Sequence, residues 1–297
     1  MIGVATSLVA VCLCYCGVAL FKAASARMEP LRGDRLPHLL GQLLTSRLWA
    51  AGLLLLVAGV ELQLVGFARL PAALVVPLSG TAGVLLLGFT AGCFGERLGG
   101  RDWLGIALFA LGALLVAASL ADGSRGPGRP PPPSVLLAVA VPSLVLPALW
   151  SVLGHLRPDG RHRRTSAGVS YGVACGVLVG AAEIGVKGLA ITFYAGAGAA
   201  DVLAGPHFYI AVVGMALALV QGMIALQRAR MAVCMTVATI VALIYLVVAG
   251  TFLFGGDWPS DPLWGVLRVA GVGVAVAAVF AFPREAPPEH PSHRARV

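Results

Sequence analysis

The chain consists of long apolar runs separated by short polar links. A bilayer core needs about 20 consecutive apolar residues for one crossing helix. No segment alternates apolar and polar residues as a membrane barrel strand does. The pattern therefore predicts an all-α polytopic membrane protein with nine transmembrane helices. The nine runs are Ile2–Lys22, Leu48–Ala68, Pro71–Phe94, Trp103–Ala121, Ser134–Leu153, Ala167–Leu189, His207–Leu226, Met231–Phe254 and Pro262–Phe282.

Composition supports this class of protein. Hydrophobic residues make up 59% of the 297 residues, charged residues make up 11%, and the mean hydropathy is +0.91. A soluble domain carries about 25% charged residues. We therefore expect a multi-pass protein of the plasma membrane, with the lipid bilayer as its first partner.

The basic residues are distributed unevenly over the links between runs. With the N-terminus outside, sixteen of the 21 lysines and arginines face the cytoplasm and only Arg69, Arg125 and Arg129 face the other side. Such a positive-inside bias sets orientation, so we expect a cytoplasmic C-terminus. Orientation thus explains the net charge of +8, and no element typical of nucleic-acid binding appears.

Three segments differ in composition from the apolar runs. Leucines at helical spacing in residues 33–47 predict a helix along the cytoplasmic interface. Reading this segment as a tenth span would reverse the charge bias downstream. Residues 122–133 are rich in Gly, Pro and Ser and predict a stiff extracytoplasmic linker. The polar residues 283–297 predict a disordered cytoplasmic tail.

Two parts of the chain resemble each other. Arg69 and Arg228 occupy matching links (228 − 69 = 159), and Asp102 before the fourth run matches Asp261 before the ninth. One connecting span between two four-span copies inverts the second copy relative to the first. Such inverted repeats place a substrate site between the halves near the bilayer midplane. The predicted domains are a first repeat at 1–121, the linker at 122–133, a connecting span at 134–154, a second repeat at 155–282 and the tail at 283–297.

Five stretches of the chain form a recognisable pattern, namely Leu48-Trp49-Ala50-Ala51-Gly52, Gly59-Val60-Glu61, Leu70-Pro71-Ala72-Ala73-Leu74-Val75-Val76-Pro77-Leu78, Gly95-Glu96-Arg97-Leu98 and Val186-Lys187-Gly188-Leu189. These stretches resemble the NIPA-type magnesium transporters of the drug/metabolite transporter (EamA-like) superfamily. The resemblance extends from about Ile2 to Phe282 and implies a carrier with inverted halves that moves magnesium. The family has asparagines in spans two and seven and this chain has none, so the cargo stays open.

Two carboxylates inside the apolar runs are the first candidates for a substrate or metal-ion site. Glu61 and Glu183 would cost several kcal/mol in hydrocarbon unless they are paired or hydrated, and such residues are by default functional. Either could bind a transported cation together with amide and hydroxyl oxygens of other side chains in the spans, since magnesium prefers oxygen ligands. A structural alternative pairs Glu183 with Lys187 one turn later, and Glu61 with Arg268. The further oxygen donors are Gln63, Ser79, Thr81, Gln221, Thr236 and Thr239.

Other chemistry has little support in the sequence. All six cysteines lie inside predicted spans without CxxC spacing, and no nucleotide-binding loop occurs. A lipid-phosphate enzyme would need an Asp or His cluster at one interface, and none is visible. We therefore expect no enzyme and no cofactor. Glycines repeat every four residues in the sixth span, at Gly168, Gly172, Gly176 and Gly180, and favour helix contacts within one chain or across a homodimer.

Three interpretations of function remain at this stage. A secondary carrier or facilitator of magnesium or another divalent cation is favoured by the resemblance and by the buried acids. A proton-coupled exporter of a small organic metabolite or drug, using Glu61, is the alternative. A non-transporting membrane scaffold is the third, but it gives no reason for carboxylates inside the spans.

Overall fold

The computed structural model describes residues 2–28, 36–69, 88, 92, 94–96, 98–119, 130–156, 167–254, 258 and 261–282. Ten helices and no strand occur in these ranges, which confirms the all-α prediction for the described residues. The helices are α1 Ile2–Ser25, α2 Leu36–Thr45, α3 Arg47–Arg69, α4 Gly100–Ala118, α5 Pro133–Leu156, α6 Ala167–Tyr194, α7 Ala199–Ala204, α8 Pro206–Arg228, α9 Met231–Leu253 and α10 Pro262–Ala281.

Seven of these helices are long and apolar enough to cross a membrane, namely α1, α4, α5, α6, α8, α9 and α10. Helix α3 contains 23 residues, which also suffices in length. The predicted third span, Pro71–Phe94, lies almost entirely outside the described residues, so nine spans stays a prediction. Helix α2 falls inside the predicted segment 33–47. The short helix α7 was not predicted.

Packing between the helices follows four close pairings. Helix α1 packs along α3, α4 packs along α10, and α6 packs along both α8 and α9. Smaller contacts join α3 to α6 and α1 to α8. Helix α6 is therefore central, and most residues of its middle section are buried.

Glycines allow these helices to approach closely. A Cβ on Gly172 would lie 2.7 Å from the carbonyl oxygen of Cys234, and one on Gly176 would lie 2.5 Å from that of Ala238. A Cβ on Gly180 would lie 2.8 Å from the Tyr245 ring. The glycine repeat of the sixth span thus packs against α9 of the same chain, because only a residue without a side chain leaves room there.

The first helices approach each other in the same way. A Cβ on Gly17 would lie 2.7 Å from the carbonyl oxygen of Gly52, and one on Gly59 would lie 2.5 Å from the sulfur of Cys14. Both glycines therefore hold α1 and α3 together over several turns. This contact fixes the position of α1 along α3, and with it the position of Tyr15 relative to Gln63.

Candidate functional site: an interior polar cluster

Four polar side chains from four helices meet inside the helical bundle. We call Tyr15 of α1, Gln63 of α3, Glu183 of α6 and Thr239 of α9 the polar cluster. Glu183 is hydrogen-bonded to the side chain of Gln63 and interacts electrostatically with Tyr15. The Tyr15 hydroxyl lies 2.7 Å from Thr239 Oγ1. Two members come from the first predicted repeat and two from the second.

Direction can be assigned to the hydrogen bond between Tyr15 and Thr239. The Thr239 hydroxyl donates its proton to the carbonyl oxygen of Met235 at 2.9 Å. Tyr15 is therefore the donor to Thr239, since each hydroxyl carries a single proton. The lone pairs of the Tyr15 oxygen remain available as acceptors within the cluster.

All four members keep accessible surface although they lie in the interior. Glu183 is partly exposed between Ala182 and Ile184, which are 0% and 1% exposed. Thr239 is likewise partly exposed between Ala238 and Ile240, which are 6% and 0% exposed. Protein surrounds the carboxyl group of Glu183, so the cluster lies inside the bundle while its side chains keep some accessible surface.

Local packing explains why these residues converge. Gly180 lies against Tyr245 three residues before Glu183, so α6 and α9 are still close where Glu183 begins to point inward. Gly59 lies one turn before Gln63 and brings α3 against α1. The close glycine contacts next to the cluster thus give way to larger polar side chains one turn further along each helix.

Glu183 has no basic partner within hydrogen-bonding or ion-pair distance among the described residues. Lys187, one turn later on α6, is 9% exposed, and its ammonium lies 4.2 Å from the centre of the Phe254 ring. The lysine therefore points to the C-terminal end of α9, where the helix dipole favours a cation. The sequence-based pairing of Glu183 with Lys187 gives way in the structure to this cation–π contact.

The remaining candidates lie outside the polar cluster or outside the described residues. Glu61 is exposed on α3. Arg268 is 5% exposed and its Nε lies 3.4 Å from Ser119 Oγ, so its described contacts are not with Glu61. Gln221 and Thr236 are 4% and 1% exposed in α8 and α9. Ser79 and Thr81 fall in the part of the chain that the structure does not describe.

Tyr15 was missed by the sequence reasoning. A tyrosine inside an apolar run reads as one more large hydrophobic residue. Its position was the available signal, because tyrosines of membrane helices concentrate at the interfaces and Tyr15 stands near the middle of its span.

The cluster offers oxygen ligands but no multidentate metal site. In the ranges given above, no group of three His, Cys, Asp or Glu residues is arranged to hold a metal ion. One carboxylate with amide and hydroxyl oxygens suits a cation that keeps most of its water, or a proton.

No protein-family model, curated protein or solved structure matches this chain.

Proposed function

We propose that the protein is a secondary carrier and that Glu183 binds its cationic cargo or coupling ion. The observation that carries the proposal is a partly accessible carboxylate inside the bundle, without a described basic partner. An intramembrane acid without a counter-charge is costly, and carriers use such acids to bind ions. A scaffold would gain nothing from this cost.

Helix contacts support an arrangement of two inverted halves around the cluster. Helices α1 and α3 of the first repeat correspond to α6 and α8 of the second. The contact between α3 and α6 therefore corresponds to the contact between α8 and α1, and both are present. Gly112 of α4 and Gly271 of α10 pack backbone against backbone, and they are separated by the repeat spacing (271 − 112 = 159). A site at such an interface is opened alternately to each side when the halves rock.

Magnesium or another divalent cation is the first cargo of the proposal. Magnesium is usually bound by one or two carboxylates and keeps several waters. Glu183, the amide oxygen of Gln63 and the hydroxyl oxygen of Tyr15 supply that kind of shell. Glu61, which is exposed on α3, lies outside this shell.

A second candidate is the proton-coupled export of a small organic cation. The observation that favours it is the presence of a single carboxylate in the cluster. One carboxylate can bind a proton or an organic cation in turn, and this competition couples the two fluxes. The same site then needs no second acid.

A flux panel in liposomes tests the proposal and separates the two cargoes. Purified protein is reconstituted and assayed with magnesium, other divalent cations and small organic cations, with and without a proton gradient. Uptake of divalent cations without a gradient supports the first cargo, and exchange of an organic cation for protons supports the second. A folded protein that moves no cation under either condition contradicts the proposal.

Replacement of Lys187 by methionine is expected to strengthen cation binding. The Lys187 ammonium stands one helical turn beyond Glu183 but is directed toward Phe254, so at an effective dielectric constant near 20 it opposes a cation at Glu183 by roughly 1–1.5 kcal/mol. Its removal should therefore lower the half-saturating cation concentration several-fold, measured as initial flux. The closely sized methionine keeps the volume that packs on Phe254. A higher half-saturating concentration instead would assign Lys187 to an anionic part of the cargo.

A further inference from the structure

Four charged side chains form a second cluster at the C-terminal end of α1. We call Lys22, Glu96, Asp102 and Arg230 the charge quartet. Lys22 Nζ lies 3.8 Å from Glu96 Oε1, and Arg230 Nη2 lies 2.9 Å from Asp102 Oδ2. Three of the four come from the first predicted repeat, and Arg230 comes from the second.

The quartet binds the two helix ends on either side of the turn between α8 and α9. Lys22 Nζ donates to the carbonyl oxygen of Leu226 at 2.7 Å, close to the C-terminal end of α8. The two oxygens of Glu96 accept from the backbone N–H groups of Met231 and Ala232 at 2.8 and 3.1 Å, the first residues of α9. Each charge therefore meets the helix end of opposite partial charge.

Arg230 lies in the turn itself and fixes it to α4. Its partner Asp102 also accepts from the backbone N–H of Gly99 at 2.8 Å through the same oxygen, Oδ2. The other oxygen, Oδ1, is buried and has no hydrogen-bond partner among the described residues. A buried carboxylate oxygen without a hydrogen-bond partner is costly, so the contacts of Asp102 offset the cost of its burial only in part.

Every one of these inter-repeat contacts would have to break if the halves separated at this end. Cys234, one turn into α9 from Arg230, is 0% exposed and lies within electrostatic range of Lys22 and Glu96. The charge bias of the links assigns this end to the cytoplasm. The quartet therefore stands between the cytoplasm and the interior of the bundle.

The opposite end differs in its charges. The repeat spacing puts Ala181 where a counterpart of Lys22 would stand (22 + 159) and Gly255 where a counterpart of Glu96 would stand (96 + 159). Lys187, the lysine of α6, lies over the Phe254 ring instead of at a helix-end clasp of this kind. The chain thus carries the complete set of charges at one end only.

We propose that the charge quartet is the cytoplasmic gate of the carrier, closed in this structure by clasping the α8–α9 turn. The inference rests on the proposed carrier function. Opening releases Arg230 from Asp102 and uncovers the ends of α8 and α9, which gives the polar cluster access to the cytoplasm. Glu96 and Lys22 are then positioning residues of the gate and do not bind cargo.

Thiol labelling of Cys234 tests the gate. The protein is prepared with Cys234 as its only cysteine and reconstituted, and a membrane-impermeant maleimide is added from the side that carries the C-terminus. Arg230→Gln removes a charge-assisted bond and is expected to raise the labelling rate about tenfold or more. Arg101→Gln, at an exposed neighbour of Asp102, is the matched control and should leave the rate unchanged.

A second variant covers the case in which Arg230→Gln does not fold. The pair Asp102→Asn with Arg230→Gln removes both charges, so that no unpaired charge is buried, and it is expected to label as fast as the single variant. Equal rates in wild type and in the folded gate variants overturn the gate. Cation flux in the wild type separates the two hypotheses: flux with unchanged labelling leaves the carrier and removes the gate. Faster labelling without any flux removes the carrier and its gate, and leaves only a charged contact that keeps Cys234 covered.

Discussion

Glu183→Gln protein is expected to fold normally and to lose cation flux. The substitution keeps the size of the side chain and a hydrogen bond to Gln63 but removes the charge that a cation needs. Interactions with a charged group are worth about 1.5–3 kcal/mol, which corresponds to roughly 10- to 100-fold weaker binding. Initial flux in liposomes, at matched amounts of monodisperse protein, measures the loss.

Glu61→Gln is the matched control for this experiment. It makes the same chemical change in another span, at a carboxylate that the structure leaves exposed on α3. Its flux should exceed that of Glu183→Gln by a wide margin. Equal flux in Glu183→Gln and wild type would remove Glu183 from the site, and a loss confined to Glu61→Gln would return the role to the residue that the sequence suggested first.

Gly176→Val is expected to prevent stable packing of α6 on α9. A Cβ at this position would lie 2.5 Å from the carbonyl oxygen of Ala238 and 2.7 Å from Cβ of Val241. Neither backbone can move aside without separating the helices. Overpacking of this kind costs about 1–3 kcal/mol and occasionally more. The fraction of protein that elutes as a monodisperse species, and its midpoint of thermal unfolding, measure the effect.

Gly273→Val on α10 is the corresponding control. Gly273 is exposed and has no atom within 4 Å of an added Cβ. The two variants share the same change in hydropathy and in helix propensity, so they differ only in available space. Normal yield and stability of Gly176→Val would show that α6 and α9 do not pack as described.

Much of the secondary structure could be predicted because membrane helices are specified locally. Each run of about 20 apolar residues must satisfy its backbone hydrogen bonds within itself, and only a helix does so. The predicted run Met231–Phe254 therefore becomes the helix Met231–Leu253. Helix α6 continues to Tyr194, five residues past its predicted end, since nothing in Ala190–Tyr194 breaks a helix.

The site was predictable only in part. An acid in an apolar run drew attention to Glu61 and Glu183 alike, because both break the same local rule. Which of them joins an interior cluster depends on which helix faces meet, and spacing along one helix does not contain that information. Gln63, Tyr15 and Thr239 are brought to Glu183 by contacts between helices far apart in sequence.

The amino-acid sequence alone determined the helical membrane class, most helix positions and the presence of charges inside spans, since all three depend on local hydrophobicity. Tertiary structure alone decided that the glycines of α6 pack against α9, that Lys187 rests on Phe254, and that Glu96 caps α9. These are pairings between distant segments. Each requires two surfaces to fit at atomic distance, and only the folded chain brings those surfaces together.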